Sequence, residues 1–281
     1  MKSSAPYPFD QTHIAFIGGG NMASALIAGL IDSGMDCSQI RVLEIQPEAR
    51  HILIERYGII ASADSDEVLM NANCVIFAVK PQQLASICRD LAAKLSNCMV
   101  MSIAAGVRTS DLSRWLSGHR NIVRAMPNTP ALVRSGITGL YACDEVNAHG
   151  RNLAEKLLEA VGKVVWVEKE RELDAVTAIS GSGPAYVFHF LEGLIAAGNQ
   201  LGLSPQTVRE LSIQTLVGAA KLAAESEDSP TVLRTKVTSP GGTTQAALEV
   251  MAQAQWIETI AAAARAADHR AQELGDNLSQ S

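Results

Sequence analysis

The residues best equipped for chemistry lie late in the chain, at Ser239-Pro240-Gly241-Gly242-Thr243-Thr244. Hydroxyls flank two glycines and a proline, just ahead of the alanine-rich helical run QAALEVMAQA. Proline and glycine together bend the backbone into a tight loop. The helix that follows points its unpaired N–H groups and the positive end of its dipole back into that loop. Such a place holds a small carboxylate. Taken alone, the segment marks an anion site and no more.

A second segment gives it a partner. Gly18-x-Gly20-x-x-Ala23 follows a short apolar strand at residues 13–17 and opens a helix. In that context the first glycine allows a sharp turn, the second lets a pyrophosphate approach the backbone, and the small third residue lets helix and strand pack closely. Asn21 and Met22, on the same turn, join Gly18 and Gly20 as cofactor-binding candidates. Glu44 ends the second strand, at the position where an acidic residue accepts hydrogen bonds from the adenine ribose and repels a 2′-phosphate. An exposed strand-end carboxylate is the competing reading. Ala78-Val79-Lys80-Pro81 and Ala104-Ala105-Gly106 follow two more strand ends, where ligands bind in open sheets. Lys80 is either solvated or close to a phosphate or ribose. In Met126-Pro127-Asn128-Thr129-Pro130 two prolines bracket a polar pair, giving a rigid loop beyond a buried strand, with Asn128 facing the same site. Ser65, which with Asp64 can cap a short helix, completes the cofactor set. The two ends of the chain together imply an enzyme that brings a nicotinamide cofactor to a small acid.

The elements that must position these residues alternate. Strands are predicted at residues 13–17, 40–45, 59–61, 74–79, 98–103, 121–126, 137–142 and 163–167, with helices between most of them. Pro47 starts a helix that Gly58 stops, and Thr109 or Ser110 caps another. Strand–helix alternation implies a parallel sheet covered on both faces. It ends at the charged seam Glu168-Lys169-Glu170-Arg171, which we take as the boundary between domains 1–168 and 169–281. Everything beyond reads as helix. Residues 186–203 form the most apolar one and are expected to be buried. Ser204-Pro205 caps the next.

Composition narrows the function classes. The 281 residues are 47% apolar, 19% charged and only 4% aromatic, with net charge −6. No basic stripe is present, so nucleic acid is not an expected partner. No apolar run is long enough to span a membrane, and MKSSAPYPFDQT lacks the apolar centre of a signal peptide. Five cysteines without a CxxC pair argue against a disulfide framework or a zinc site and fit a cytoplasmic protein. No metal is expected.

The motifs IGGGNMASAL, FAVKP, SIAAGV, RAMPNTPALV, SGSGPAYVF and VTSPGGTTQAALEVM occur in that order from residue 13 to the C-terminal helix. As a set they resemble the pyrroline-5-carboxylate reductase family. GxGxxA is widespread, whereas MPNTP, SGSGPAY and SPGGTT together are far more specific. The resemblance implies an α/β protein: an N-terminal Rossmann-type doubly wound sheet followed by an all-helical dimerisation domain. It implies a homodimer, with larger rings such as a decamer built from it. It also implies NAD(P)H-dependent reduction of 1-pyrroline-5-carboxylate to L-proline, the final step of proline biosynthesis. On this resemblance Thr244 hydrogen-bonds the imine nitrogen, and Ser239, Gly241, Gly242 and Thr243 hold the substrate carboxylate. Glu227 matches a family carboxylate near the substrate, with a solvated acidic tail in ESEDS as its other reading. The SGSGP turn starts a long helix near the active site and is mainly structural.

Two departures stand out. Many relatives carry Ser or Thr where this chain has Glu44, so NADH is expected to serve at least as well as NADPH, with Arg50 and Arg56 as remaining phosphate contacts. Gln255-Trp256 replaces a frequent Gly-Phe pair, a change of packing. Two rivals are weighed. A hydroxyacid dehydrogenase of the same plan needs a lysine in the helical domain, and residues 186–203 contain none. A sensor that binds dinucleotide without turnover has no need of an intact SPGGTT loop.

Overall fold

In the computed structural model, Phe9 and residues 12–95 and 98–279 are described. The reading of MKSSAPYPFDQT as no signal peptide falls mostly outside them. Eight strands form one sheet: β1 Ile14–Ile17, β2 Ile40–Leu43, β3 Ile60–Ser62, β4 Cys74–Phe77, β5 Met99–Ser102, β6 Ile122–Met126, β7 Gly136–Ala142 and β8 Gly162–Trp166. Helices α1 Asn21–Asp32, α2 Pro47–Tyr57, α3 Ser65–Leu69, α4 Pro81–Leu91, α5 Thr109–Trp115 and α6 Ala148–Glu159 connect them. The strand order is β3-β2-β1-β4-β5-β6-β7-β8. Every pairing is parallel except β6 with β7. The strand order therefore reverses between β1 and β4, the crevice where doubly wound sheets bind ligands.

The central strands β1 and β4 are continuously apolar and buried because both faces are covered. Ile14, Phe16, Ile76 and Met101 point to one side and pack with Leu26 and Ile27 of α1 and Leu157 of α6. Ala15, Ile17, Val75 and Phe77 point to the other and pack with Leu84 of α4 and Leu112 of α5. Truncating a side chain as enclosed as Phe77, which has no exposed surface, removes about 3–5 kcal/mol. Burial pushes the Cys98 thiol up to about 11 and the Cys88 thiol up to about 12, so these cysteines behave as small apolar groups.

The remaining helices are α7 Glu172–Val176, α8 Gly183–Gln200, α9 Pro205–Glu225, α10 Pro230–Lys236, α11 Thr243–Gln253 and α12 Trp256–Ser279. By its contacts the chain forms two compact units. One comprises residues up to Ser182 together with those from Ala267 onward; the other is Gly183–Ala266.

Two expectations are corrected and one is refined. The amino end of α5 is not capped by its own Thr109 or Ser110. Arg108 stands at the cap without a side-chain bond. Glu170 of the charged seam supplies the acceptors instead, taking the Thr109 N–H and the Thr109 hydroxyl at 2.7 Å each. A carboxylate on the positive end of the helix dipole does this better than a hydroxyl. Next, the SGSGP turn does open the long helix, with α8 beginning at its Gly183, but a further element precedes it. α7 runs into a π-turn at Thr177–Gly181, which runs into α8. Finally, the apolar helix α8 is not buried. Among the described residues of Gly183–Ala266, only Gly198, Val208 and Ser212 are enclosed, and Phe188 is 61% exposed. Among the described residues, much of its apolar surface is left open.

Candidate active site

The glycine turn is shaped by close approach. Gly18 has φ +97°, and a Cβ there would come within 2.8 Å of Val79 Cγ1, at the β1/β4 crevice. A Cβ on Gly19 would meet Leu53 Cδ1 at 2.5 Å, an approach of α2 to the middle position that the GxGxxA pattern does not carry. Gly20 caps α1, and a Cβ on it would meet nothing within 4 Å. That is open space at a helix amino end, suited to a pyrophosphate. Ala23 is fully buried, as the packing role of the third small residue requires.

Glu44 follows β2 and turns back over this loop. Its Oε2 accepts the Gly19 N–H and its Oε1 accepts the Gln46 N–H, both at 3.0 Å. The carboxylate is thus fixed at the rim of a cleft of about 280 Å³ lined by Ile17, Gly18, Leu43, Val79, Gln83 and Ile87. This cleft is mostly apolar, with Gln46, Gln83 and one anchored acid as its polar side chains. Arg50 donates to the backbone oxygens of Glu44 and Ile45 at 2.8 and 2.9 Å. Arg56 lies over the ring of Tyr57, 5.2 Å from its centroid.

The neighbouring loops come to the same edge. Ala78 N–H bonds Ile17 O, and exposed Lys80 caps α4. Pro81 is the first residue of α4. Ala104 is buried, its N–H on the Ser102 hydroxyl at 3.3 Å. Gly106, with φ +78°, has Gly275 N, Leu274 and Leu278 of the C-terminal helix 3.5–3.6 Å from where its Cβ would be. Ser65 behaves differently. Its hydroxyl takes a hydrogen bond from Lys94, which follows the far end of α4, and no described contact ties it to the glycine turn.

Asn128 is 9% exposed, and both ends of its carboxamide are engaged. Its Oδ1 accepts the Ile137 N–H at 3.0 Å and its Nδ2 donates to the Ser180 carbonyl at 3.1 Å.

In the helical unit, Gly241 has φ +69° and Gly242 caps α11. The Gly242 N–H closes the turn onto Ser239 O at 3.0 Å. The Gly241 N–H is taken by Gln245 Oε1 at 2.7 Å, a capping role that sequence reading missed although Gln245 stands just after the loop. Among the described residues, the hydroxyls of Ser239, Thr243 and Thr244 have no hydrogen-bond partner, so they stand available around the turn. Glu227 is exposed, and no described contact brings it to Thr244. The neighbouring Asp228, not Glu227, pairs with Lys236. No group of three or more His, Cys, Asp or Glu among the described residues is arranged to hold a metal.

The comparisons with known proteins cover the whole arrangement. Residues 170–274 match a family model described as pyrroline-5-carboxylate reductase dimerisation. Residues 13–106 match one described as NADP oxidoreductase, coenzyme F420-dependent. A pyrroline-5-carboxylate reductase of Pseudomonas aeruginosa is 42% identical over 268 residues, covering 95% of this chain and 98% of the relative. The Haemophilus influenzae enzyme is also 42% identical, over 93% of this chain and 97% of its own. A solved pyrroline-5-carboxylate reductase of Coxiella burnetii superposes with TM-score 0.90 at 43% identity, over 94% of this chain and 98% of that one. The Plasmodium falciparum pyrroline carboxylate reductase structure, with NADP bound, does so with TM-score 0.83 at 27% identity, over 94% and 98%. With likeness of this extent at both ends of the chain, the protein belongs to the pyrroline-5-carboxylate reductase family.

Proposed function

We propose that this chain reduces 1-pyrroline-5-carboxylate to L-proline with NAD(P)H, the final step of proline biosynthesis, in the cytoplasm. The observation that carries the reading is the loop at 239–244: three unpartnered hydroxyls around a tight glycine turn, at the start of α11. Residues 1–168 are the cofactor domain and 169–281 the substrate and dimerisation domain of a homodimer, which assembles further into a ring such as a decamer.

Gly18, Gly20, Asn21 and Met22 hold the pyrophosphate. The loops at Ala78–Pro81 and Ala104–Gly106 flank the rest of the cofactor. Glu44, already anchored on two backbone N–H groups, receives the ribose hydroxyls. A 2′-phosphate there meets a fixed negative charge, so NADH works at least as well as NADPH. The cofactor supplies a hydride for the imine carbon. Ser239, Gly241, Gly242 and Thr243 hold the substrate carboxylate, using hydroxyls and the dipole of α11. Thr244 hydrogen-bonds the imine nitrogen. Its hydroxyl is a poor acid, so it orients the nitrogen, and the proton arrives with the protonated imine or from water. Glu227 contributes negative charge that favours the iminium form. Orientation and charge complementarity are sufficient for so electrophilic a substrate.

The test is product analysis. Racemic pyrroline-5-carboxylate with NADH should yield L-proline in equal molar amount to the NADH oxidised. Cofactor consumption without proline would sink the reading.

A further inference from the structure

We propose that Asn128 is a positioning residue. It braces the π-turn at Thr177–Gly181 against the carboxyl end of β6 and the amino end of β7, and so shapes the sheet edge that carries the cofactor loops without touching the cofactor through its own side chain. The proposal rests on the reductase reading above.

The sequence alone placed Asn128 among cofactor-binding residues. In the structure its carboxamide is turned inward. One end accepts the Ile137 N–H just inside β7, and the other donates to the Ser180 carbonyl. The N–H that would close an α-helical turn on the Ser180 carbonyl belongs to position 184, where Pro184 has none, so that carbonyl is left for Asn128. The turn that carries it is widened, its bonds skipping one residue further. Here the Ser182 N–H reaches back to Thr177 O at 2.8 Å, five residues away. The Thr177 and Ser180 hydroxyls donate to Leu173 O and Val176 O, at 2.7 and 3.0 Å, which relieves the carbonyls of the widened turn.

The turn is also pressed onto the sheet. A Cβ on Gly181 would come within 2.6 Å of Met126 Cε, at the last residue of β6. A Cβ on Gly139 of β7 would come within 2.8 Å of Val176 Cγ1. β6 lies beside β5, whose following loop is Ala104–Gly106. The π-turn therefore stands at the edge of the sheet that carries the cofactor loops. Asn has one acceptor and one donor at its tip; Asp accepts only when ionised, and Ala does neither. Ile137 and Ser180 need one of each.

Three variants separate this role from the alternatives: Asn128→Asp, Asn128→Ala and Gly181→Ala. Asp keeps the acceptor for Ile137 but sets an oxygen against the Ser180 carbonyl. Gly181→Ala disturbs the same turn from the Met126 side and leaves Asn128 intact. Each should lower kcat by about ten- to a hundredfold, the cost of a small misplacement at a reacting centre. The Kd for NADH should stay within about twofold of the parent, as for a residue outside the binding contacts. Amide exchange at Ile137 should accelerate in Asn128→Ala and stay slow in Asn128→Asp. Two results overturn the proposal: a Kd for NADH that rises in step with the loss of kcat, which makes Asn128 a direct cofactor ligand, or a kcat unchanged in both folded Asn128→Asp and Gly181→Ala. Failure of the reductase reading looks different, because the parent itself would then leave pyrroline-5-carboxylate unreduced.

Discussion

The two compact units treat their apolar residues in opposite ways. In the sheet unit, alternate strand residues enter two enclosed cores, and side chains as large as Phe16 and Phe77 are fully covered. In the helical unit, Phe188, Leu211, Val217, Leu222 and Ile257 are all at least half exposed. Such a surface on a folded chain marks an interface. The sheet unit encloses its apolar residues, whereas the helical unit leaves a broad apolar surface within the region that matches a dimerisation family model. The division extends to chemistry. The first unit carries the dinucleotide turn, and the second carries the hydroxyl loop.

Four changes would break or sharpen this contrast. The largest effect belongs to Leu211→Asp with Leu222→Asp, a double change on one stripe of α9. Two buried carboxylates cost several kcal/mol, so the dimer should dissociate about a thousandfold more readily. Light scattering should then report single chains. A dimer of parental stability would place the interface on another face. Thr244→Ala comes next. If Thr244 orients the reacting nitrogen as proposed, losing that hydrogen bond should lower kcat/KM by about a hundredfold, with the Kd for NADH unmoved, because the proposed cofactor contacts belong to the other unit. Steady-state kinetics with a cofactor titration checks both halves, and a near-parental rate would remove Thr244 from the mechanism. Glu44→Ser frees the Gly19 and Gln46 N–H groups. It should move the NADPH/NADH ratio of kcat/KM by about tenfold toward NADPH, roughly 1.4 kcal/mol, leaving the KM for pyrroline-5-carboxylate in place. An unmoved ratio means that Glu44 does not face the ribose. The smallest effect is Gln255→Gly. Gln255 holds φ +51°, a conformation that costs a side-chain-bearing residue about 1 kcal/mol. The glycine variant should melt a few degrees higher, and a lower Tm would show that Gln255 makes a compensating contact.

Much of the fold was legible because glycine and proline punctuate it. Pro47 and Gly58 bound α2 as expected, and Asp64 caps α3 through the Asp66 N–H. The strands of the sheet fall within two residues of their expected ends, since a continuous apolar run between turn signals has one reading in a covered parallel sheet. The glycine turn and the hydroxyl loop were legible for the same reason: their geometry is local. What escaped were arrangements made across distance. Glu170 caps a helix that begins 61 residues earlier. Asn128 reaches the Ser180 carbonyl across 52 residues of sequence. The exposure of α8 could not be read from its apolarity, because a core helix and a helix awaiting a second chain have the same composition. The Gly19–Leu53 approach likewise depends on how α2 lies over the turn.

The account is tested most directly by parallel initial rates of NADH and NADPH oxidation on one preparation, with racemic pyrroline-5-carboxylate as substrate. It predicts turnover with both cofactors and a kcat/KM for NADH at least equal to that for NADPH. A folded protein that binds NADH and oxidises neither cofactor would contradict it.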